Sequence, residues 1–527
     1  MLHSLSCRGG MVSAPHHLAA QAGAAILREG GNAVEAMVAA AAAIAAVYPH
    51  MNSIGGDGFW LIAEPGREPV AVRACGASAG LATIDYYREH GETAIPARGP
   101  RAALSVAGAV GGWAAALEVA APWGRALPLT RLLEAAIAHA REGVPVTRSQ
   151  AALTRDKWVE LVSVPGFAET FAAAGLPALG DLQQLPRLAD SLAQLARHGL
   201  DDFYRGDLAR SMARDLEAVG SPLRLDDLAR YRAAVVKPLA VDLAVGRLYN
   251  HPPPTQGVSS LAILGIFERL KVADGESFAH IHGLVEATKR AFRWRNAHLA
   301  DPSRMHSDPQ AFLAAASLDA EARAIDPQRA AAWPPAAKPG DTIWMGAADR
   351  QGRVVSYIQS IYWEFGSGVV LAESGVNWQN RGSSFTLHDG PNALLPHTLP
   401  FHTLNPALAR LRDGRTLAYG TMGGEGQPQT QAAFFTRHVL FGQDMQAAIS
   451  APRWLLGRTW GEDSTNLKVE ARFSPELVAQ LEQAGHAVQV VGPWEDMMGH
   501  AGAVACHANG NFEGATDPRA DGVCAGL

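Results

Sequence analysis

At 527 residues the chain is long enough for an extensive core, as several domains or as one large α/β unit. Charged residues are only 18% of it, with Ala and Gly prominent and no long polar tract, which excludes a disordered chain. The formal net charge of -6 is spread along the sequence, which excludes a nucleic-acid groove or a polybasic membrane surface and favours a small-molecule partner. Cys7, Cys75, Cys506 and Cys524 are scattered without CxxC spacing, so they indicate neither a zinc site nor a disulfide framework.

Met1 to Gly10 lacks a basic flank leading into an apolar core, so a cytoplasmic protein is expected. From Ala14 to Val47 the pattern is helical, interrupted at Gly30-Gly31-Asn32, which ends one helix and caps the next. Its most apolar run, Ala33 to Val47, contains Glu35 and falls short of a membrane span of about 18–20 residues; it reads as a buried helix. Asn52 to Gly58 is a glycine turn opening into a strand through Ile62, with Val70 to Arg73 as hairpin partner. Ile84 to His90 reads as a helix, and Leu127 to Val245 as mainly helical scaffold, with turns at Pro165-Gly166 and Gly175-Leu176-Pro177.

Pro334 to Gly340 denies both helix and central strand and is predicted to be a loop. Thr342 to Ala348 and Val354 to Ile361 then form two strands around the turn Asp349-Arg350-Gln351-Gly352. Leu404 to Leu411 and Thr416 to Tyr419 give a second hairpin around Asp413-Gly414. Pro475 to Ala484 is a helix, followed by a strand from Ala487 to Val491. No repeat and no linker marks independent domains.

A loop entering a hairpin at a threonine resembles the γ-glutamyltranspeptidase family, whose precursor is cut before such a residue. Collinear matches extend along nearly the whole chain: Gly30 to Ala36, Ser53 to Phe59, Ala107 to Trp113, Pro252 to Gly257, Glu286 to Ala291, Gly423-Gly424 and Gly514 to Arg519. The resemblance implies an α+β, four-layer αββα sandwich of the N-terminal-nucleophile hydrolase type. It also implies cleavage between Asp341 and Thr342 into a large piece, 1–341, and a small piece, 342–527, which stay interlocked and could pair further as a homodimer. The chemistry has a physical logic: the Thr342 hydroxyl attacks the Asp341 carbonyl, and the freed α-amine, titrating near about 7.7, becomes the base for the same hydroxyl. Ser360 matches a threonine whose hydroxyl contacts the nucleophile. Gly423 and Gly424 match the oxyanion-hole glycines.

The positions that hold a γ-glutamyl group in the family are altered. Here they read Tyr362, Arg381, Ser384, Ala82 and the pair His402-Thr403; Glu373 and the Thr403 hydroxyl survive. Loss of the acidic residue removes the counter-charge for a substrate ammonium, whereas Arg381 and His402 add donors for a carboxylate. Asn377 to Phe385 is similar to the oxamate amidohydrolase branch, so the expected substrate is a small carboxylate-bearing amide; γ-glutamyl amides such as glutathione are the alternative. Neither metal nor organic cofactor is implied.

Three other constellations compete. Gly76-Ala77-Ser78-Ala79-Gly80 fits the GxSxG pattern of a serine hydrolase. His280, His282 and Glu286 suggest a metal site for which sequence names no further ligand, against the plainer reading of polar residues on an amphipathic helix. His16-His17 reads as a surface feature at a helix start. A non-catalytic relative serving as a scaffold also remains open. Glycine-rich loops lack the spacing for nucleotide binding.

Overall fold

The computed structural model describes residues 3–124, 126–333, 341–457 and 465–527. Two seven-stranded sheets lie face to face. One runs, in spatial order, Val523–Gly526, Gly10–Ala14, Asp341–Asp349, Val354–Tyr362, Asp57–Ala63, Val70–Ala74 and Ala234–Val236. The other runs Leu5–Cys7, Phe512–Thr516, Ala501–Cys506, Thr416–Thr421, Ala407–Leu411, Gly246–Asn250 and Leu239–Leu243. All pairings in these two sheets are antiparallel.

Three cores separate four layers. Phe59, Leu61, Trp344, Ile358, Leu408, Ala418 and Val504 meet between the sheets. On the outside of the first sheet, Trp60, Ile343, Met345 and Tyr357 pack on the helices His17–Arg28, Ala33–Val47 and Ala109–Ala120. On the outside of the second, Ala409, Leu417 and Ala503 pack on Gly257–Leu270, Phe278–His298 and Gln427–Phe435. Successive residues of each strand thus serve different cores, the period of two that a pleated strand requires. The fold is the expected αββα sandwich. Both sheets contain strands from before and after position 342.

The predicted helical pair and both hairpins are present, as is the helix Pro475–Gln483 before Val488–Val491. Pro334 to Gly340 lies outside the described residues. The scaffold region contains four strands absent from the helical reading: Val144–Pro145 and Leu182–Gln183, which pair with each other, Ala234–Val236, which pairs with Val70–Ala74, and Leu239–Leu243, which pairs with Gly246–Asn250. His16 is buried rather than exposed; its Nδ1 caps the helix by accepting the Leu18 N–H at 3.3 Å. No helix among the described residues is long and apolar enough to cross a membrane.

Candidate active site

Thr342 stands at an irregularity in the central hairpin. Asp341 pairs with Tyr362 and Ile343 with Gln359, so two steps on one strand face three on the other. Such a bulge re-aims a side chain. Thr342 and Ser360 share the strand parity of Trp344 and Ile358, which points them between the sheets. The Thr342 hydroxyl donates to Ser360 Oγ at 3.2 Å, and Ser360 Oγ also accepts the Tyr362 N–H at 2.8 Å. Tyr362 itself has φ +82°, a left-handed conformation that costs a β-branched or aromatic residue about 1–3 kcal/mol and concentrates at functional sites.

The glycine turn before Asp57–Ala63 exists for close approach. A Cβ on Gly56 would lie 2.1 Å from the Ser360 carbonyl oxygen, and one on Gly55 would lie 2.2 Å from that of Asn377. Gly423 and Gly424 leave the end of the strand Thr416–Thr421 with φ +111° and +51°. This turn can direct successive N–H groups at an anion. Gln256 holds it: its Nε2 donates to the carbonyls of Gly424 and Thr403, both at 2.8 Å. Arg295 braces Gln256, with Nη1 to its Oε1 at 2.7 Å and Nη2 to Glu425 Oε2 at 2.9 Å.

Several buried donors around Arg381 are unsatisfied among the described residues. The buried Arg381 guanidinium stacks 3.6 Å over the Tyr362 ring and donates through Nη2 to Thr403 Oγ1 at 3.3 Å. Its Nε and Nη1, His402 Nδ1 and Ser384 Oγ have no partner among the described residues. His402 Nε2 and Asp57 Oδ2 share a hydrogen bond of 2.8 Å whose donor depends on the couple's protonation. Asp57 Oδ1 accepts from Gly108 N at 3.0 Å, Gln379 Nε2 at 3.2 Å and Gly76 N at 3.3 Å. Burial pushes the Asp57 carboxyl up to about 7 despite the pull of Arg381, and burial with the Arg381 charge holds His402 well below its ordinary value. Arg381 is drawn down to about 10 by burial.

Tyr362, Arg381, Ser384, His402 and Thr403 are therefore gathered, but Glu373 is not. Its carboxylate is on the exposed surface, held by Ser211 and by Arg214 at 3.1 Å. Ala82 is buried in the apolar core. Asp57, Gln256 and Gln379 went unassigned in the sequence reading, although each lies in a stretch it singled out.

The rival constellations resolve differently. Ser78, Asp227 and His397 do line one cavity of about 350 Å³. However, Ser78 Oγ donates to the Leu395 carbonyl at 2.5 Å and accepts the Thr398 N–H at 3.1 Å, and it follows an antiparallel strand instead of standing at a strand-to-helix elbow. His282 and Glu286 meet His486, with ligand-capable atoms within 4.8 Å, while His280 turns away to Thr436 Oγ1 at 2.8 Å. The Glu286 carboxylate is already engaged by Lys289 Nζ at 2.6 Å.

The Gamma-glutamyltranspeptidase family model matches residues 19–527. The chain belongs to the γ-glutamyltranspeptidase family. Within this family it is 54% identical over 520 residues to the oxamate amidohydrolase proenzyme of Klebsiella pneumoniae, covering 98% of each chain. It is 40% identical to the glutathione hydrolase-like YwrD proenzyme of Bacillus subtilis, again covering 98% of each. Among solved structures, the cephalosporin acylase from Bacillus halodurans superposes with a TM-score of 0.91 at 31% identity, over 99% of this chain and 97% of that one.

Proposed function

We propose that this family member cuts itself between Asp341 and Thr342 and then hydrolyses the amide of a small carboxylate-bearing substrate of the oxamate kind. In the precursor, Thr342 Oγ attacks the Asp341 carbonyl, the peptide bond becomes an ester, and water opens it to leave Asp341 as a carboxylate and Thr342 with a free α-amine. In the mature enzyme that amine takes the hydroxyl proton as Oγ attacks the substrate carbonyl. Gly423 and Gly424 N–H groups stabilise the oxyanion. The tetrahedral adduct collapses, the α-ammonium returns its proton to the leaving nitrogen, and ammonia departs. Water, deprotonated by the same amine, releases the acid from the threonyl ester.

The observation carrying the substrate assignment is Arg381. A buried guanidinium with two unpartnered nitrogens is costly unless a ligand completes it, and a carboxylate does so with charge-assisted hydrogen bonds. Tyr362 and Ser360 connect that anchor to Thr342 through contacts of 3.6, 2.8 and 3.2 Å. Oxamate places its amide carbonyl directly on its carboxylate and carries no ammonium, so it needs no acidic partner. The name of the Klebsiella relative points the same way.

The test is turnover of oxamate against a γ-glutamyl anilide by protein whose cleavage has been verified by intact mass. Preference for oxamate is expected. Preference for the γ-glutamyl compound would overturn the substrate assignment, and an uncut, inactive chain would overturn the mechanism.

A further inference from the structure

The stretch Pro252 to Gly257, one of the collinear matches, brings one side chain, Gln256, to both halves of the site. Gln256 stands just before the helix Gly257–Leu270 and is fully buried. Its main chain is docked on the segment that carries His402: the Gln256 N–H donates to the His402 carbonyl at 2.9 Å, and the His402 N–H donates to the Pro254 carbonyl at 2.9 Å. From that base Gln256 Nε2 donates to two carbonyls at 2.8 Å. One is Gly424, on the oxyanion turn; the other is Thr403, whose hydroxyl accepts from Arg381. A side-chain amide has two N–H groups, and both are used.

A neighbouring charge imposes the orientation of that amide. Arg295 Nη1 donates to Gln256 Oε1 at 2.7 Å, so the oxygen faces the cation and the nitrogen faces the carbonyls. A flipped amide would set its oxygen against two carbonyls and its N–H groups against a guanidinium, with all three hydrogen bonds lost. Arg295 is itself immobilised. Its Nη2 donates to Glu425 Oε2 at 2.9 Å, its Nε donates to Asn296 Oδ1 at 2.9 Å, and its Cζ lies 3.8 Å from the Phe292 ring centroid. Glu425 follows Gly424, so Arg295 reaches the turn along two arms. Gly423 and Gly424 need such a tether, because glycine peptide planes reorient at little steric cost.

We infer that Gln256 is a positioning residue that fixes the separation between the carboxylate anchor at Arg381 and Thr403 and the oxyanion turn at Gly423 and Gly424, with Arg295 setting its amide. This rests on the proposed function. In oxamate the carboxylate carbon and the reacting carbonyl carbon share one bond, so the substrate cannot lengthen to meet a displaced anchor. A misplacement of about 1 Å costs about 10²-fold in rate. Malonamate carries a methylene between the same two groups and adapts by rotation about its extra bond. The separation held by Gln256 therefore favours the shorter substrate.

The experiment measures kcat and KM for oxamate and for malonamate with wild type, Gln256→Met and Arg295→Lys, each verified as cut by intact mass and as folded by thermal unfolding. Gln256→Met keeps the side-chain volume and loses both donors. It is expected to lower kcat for oxamate about 10²-fold, with KM changed by less than about threefold because Arg381 is still present. The loss on malonamate is expected to be about tenfold smaller than on oxamate. In Arg295→Lys one ammonium replaces the fork that spans Gln256 and Glu425, and the same pattern is expected at about tenfold in kcat. That variant leaves Gln256 in place and carries the test if Gln256→Met does not fold. Where malonamate turns over too slowly to measure, the split between kcat and KM on oxamate decides. A wild-type kcat in Gln256→Met would overturn the inference. So would a rise in KM as large as the loss in kcat, or equal losses on the two amides, since these mark general loosening of the site. A wild-type enzyme that turns over neither amide would refute the proposed function instead.

Discussion

The surroundings of Thr342 and of Arg381 are equally buried, yet they are completed in different ways. Near Thr342 the groups satisfy one another: the hydroxyl meets Ser360, Ser360 meets the Tyr362 N–H, and Gln256 pins the Gly424 carbonyl. Around Arg381, two guanidinium nitrogens, His402 Nδ1 and Ser384 Oγ are unsatisfied among the described residues. Buried polar groups in native proteins are nearly always paired, so the donors around Arg381 are the ones to test for substrate contact. Under the proposed function, catalysis rests on main chain and hydroxyls of a sheet, and selectivity on side chains that a few substitutions can change.

That contrast is broken most severely by Thr342→Ala. It should abolish self-cleavage and lower turnover by about 10⁴-fold or more, read by intact mass and by ammonia release; surviving activity would move the nucleophile elsewhere, with Ser78 the first place to look. Arg381→Met sharpens the contrast. It should still cut itself but lose about 10²–10³-fold in kcat/KM for a carboxylate amide, whereas Glu373→Gln, on the exposed surface with Ser211 and Arg214, should change it by less than about twofold. Loss of cleavage in Arg381→Met would show that the two regions are one.

The smallest effect is a pH dependence. Below about 7 the Asp57–His402 couple holds one more proton, Asp57 is neutral, and His402 can present Nδ1–H beside the Arg381 charge. Above it, ionised Asp57 cancels that charge and takes Nε2–H, leaving a lone pair on Nδ1. KM for a carboxylate amide should therefore rise about tenfold as pH climbs through 7, and Asp57→Asn should flatten the profile. An unchanged slope in Asp57→Asn would assign it to another group, the Thr342 amine first.

The parts legible in the sequence are those whose signal is local. Asn32 before an apolar run shows a helix start, and it caps Ala33–Val47 by accepting from Val34 and Glu35. The β-branched runs either side of Asp349 to Gly352 show a hairpin. Strands such as Ala501–Cys506 were invisible because alanine and glycine have little strand preference; they form through pairing with Thr416–Thr421 and Phe512–Thr516. Arg381 and His402 were legible as charge changes at matched positions. Asp57 was harder to assign, since its partners Gly76, Gly108, Gln379 and His402 are scattered along the chain. An acidic residue inside a glycine turn that opens a wholly buried strand is the signal that could have flagged it. Glu373 misled because survival at a matched position says nothing of where a loop turns its side chain.

The strand order has one more consequence. In the first sheet, Asp341–Asp349 and Val354–Tyr362 are inserted between Gly10–Ala14 and Asp57–Ala63, and Val523–Gly526 closes the edge beyond Gly10–Ala14. As a single chain the protein reaches this arrangement with every strand tethered to the next. Under the proposed cleavage before Thr342, an unfolded molecule becomes two solutes, and their meeting depends on bulk concentration instead of a tether. Assembly then has a direction in time: the durability of the mature form is set by how slowly it opens, because a molecule that has opened has lost the connection that built it.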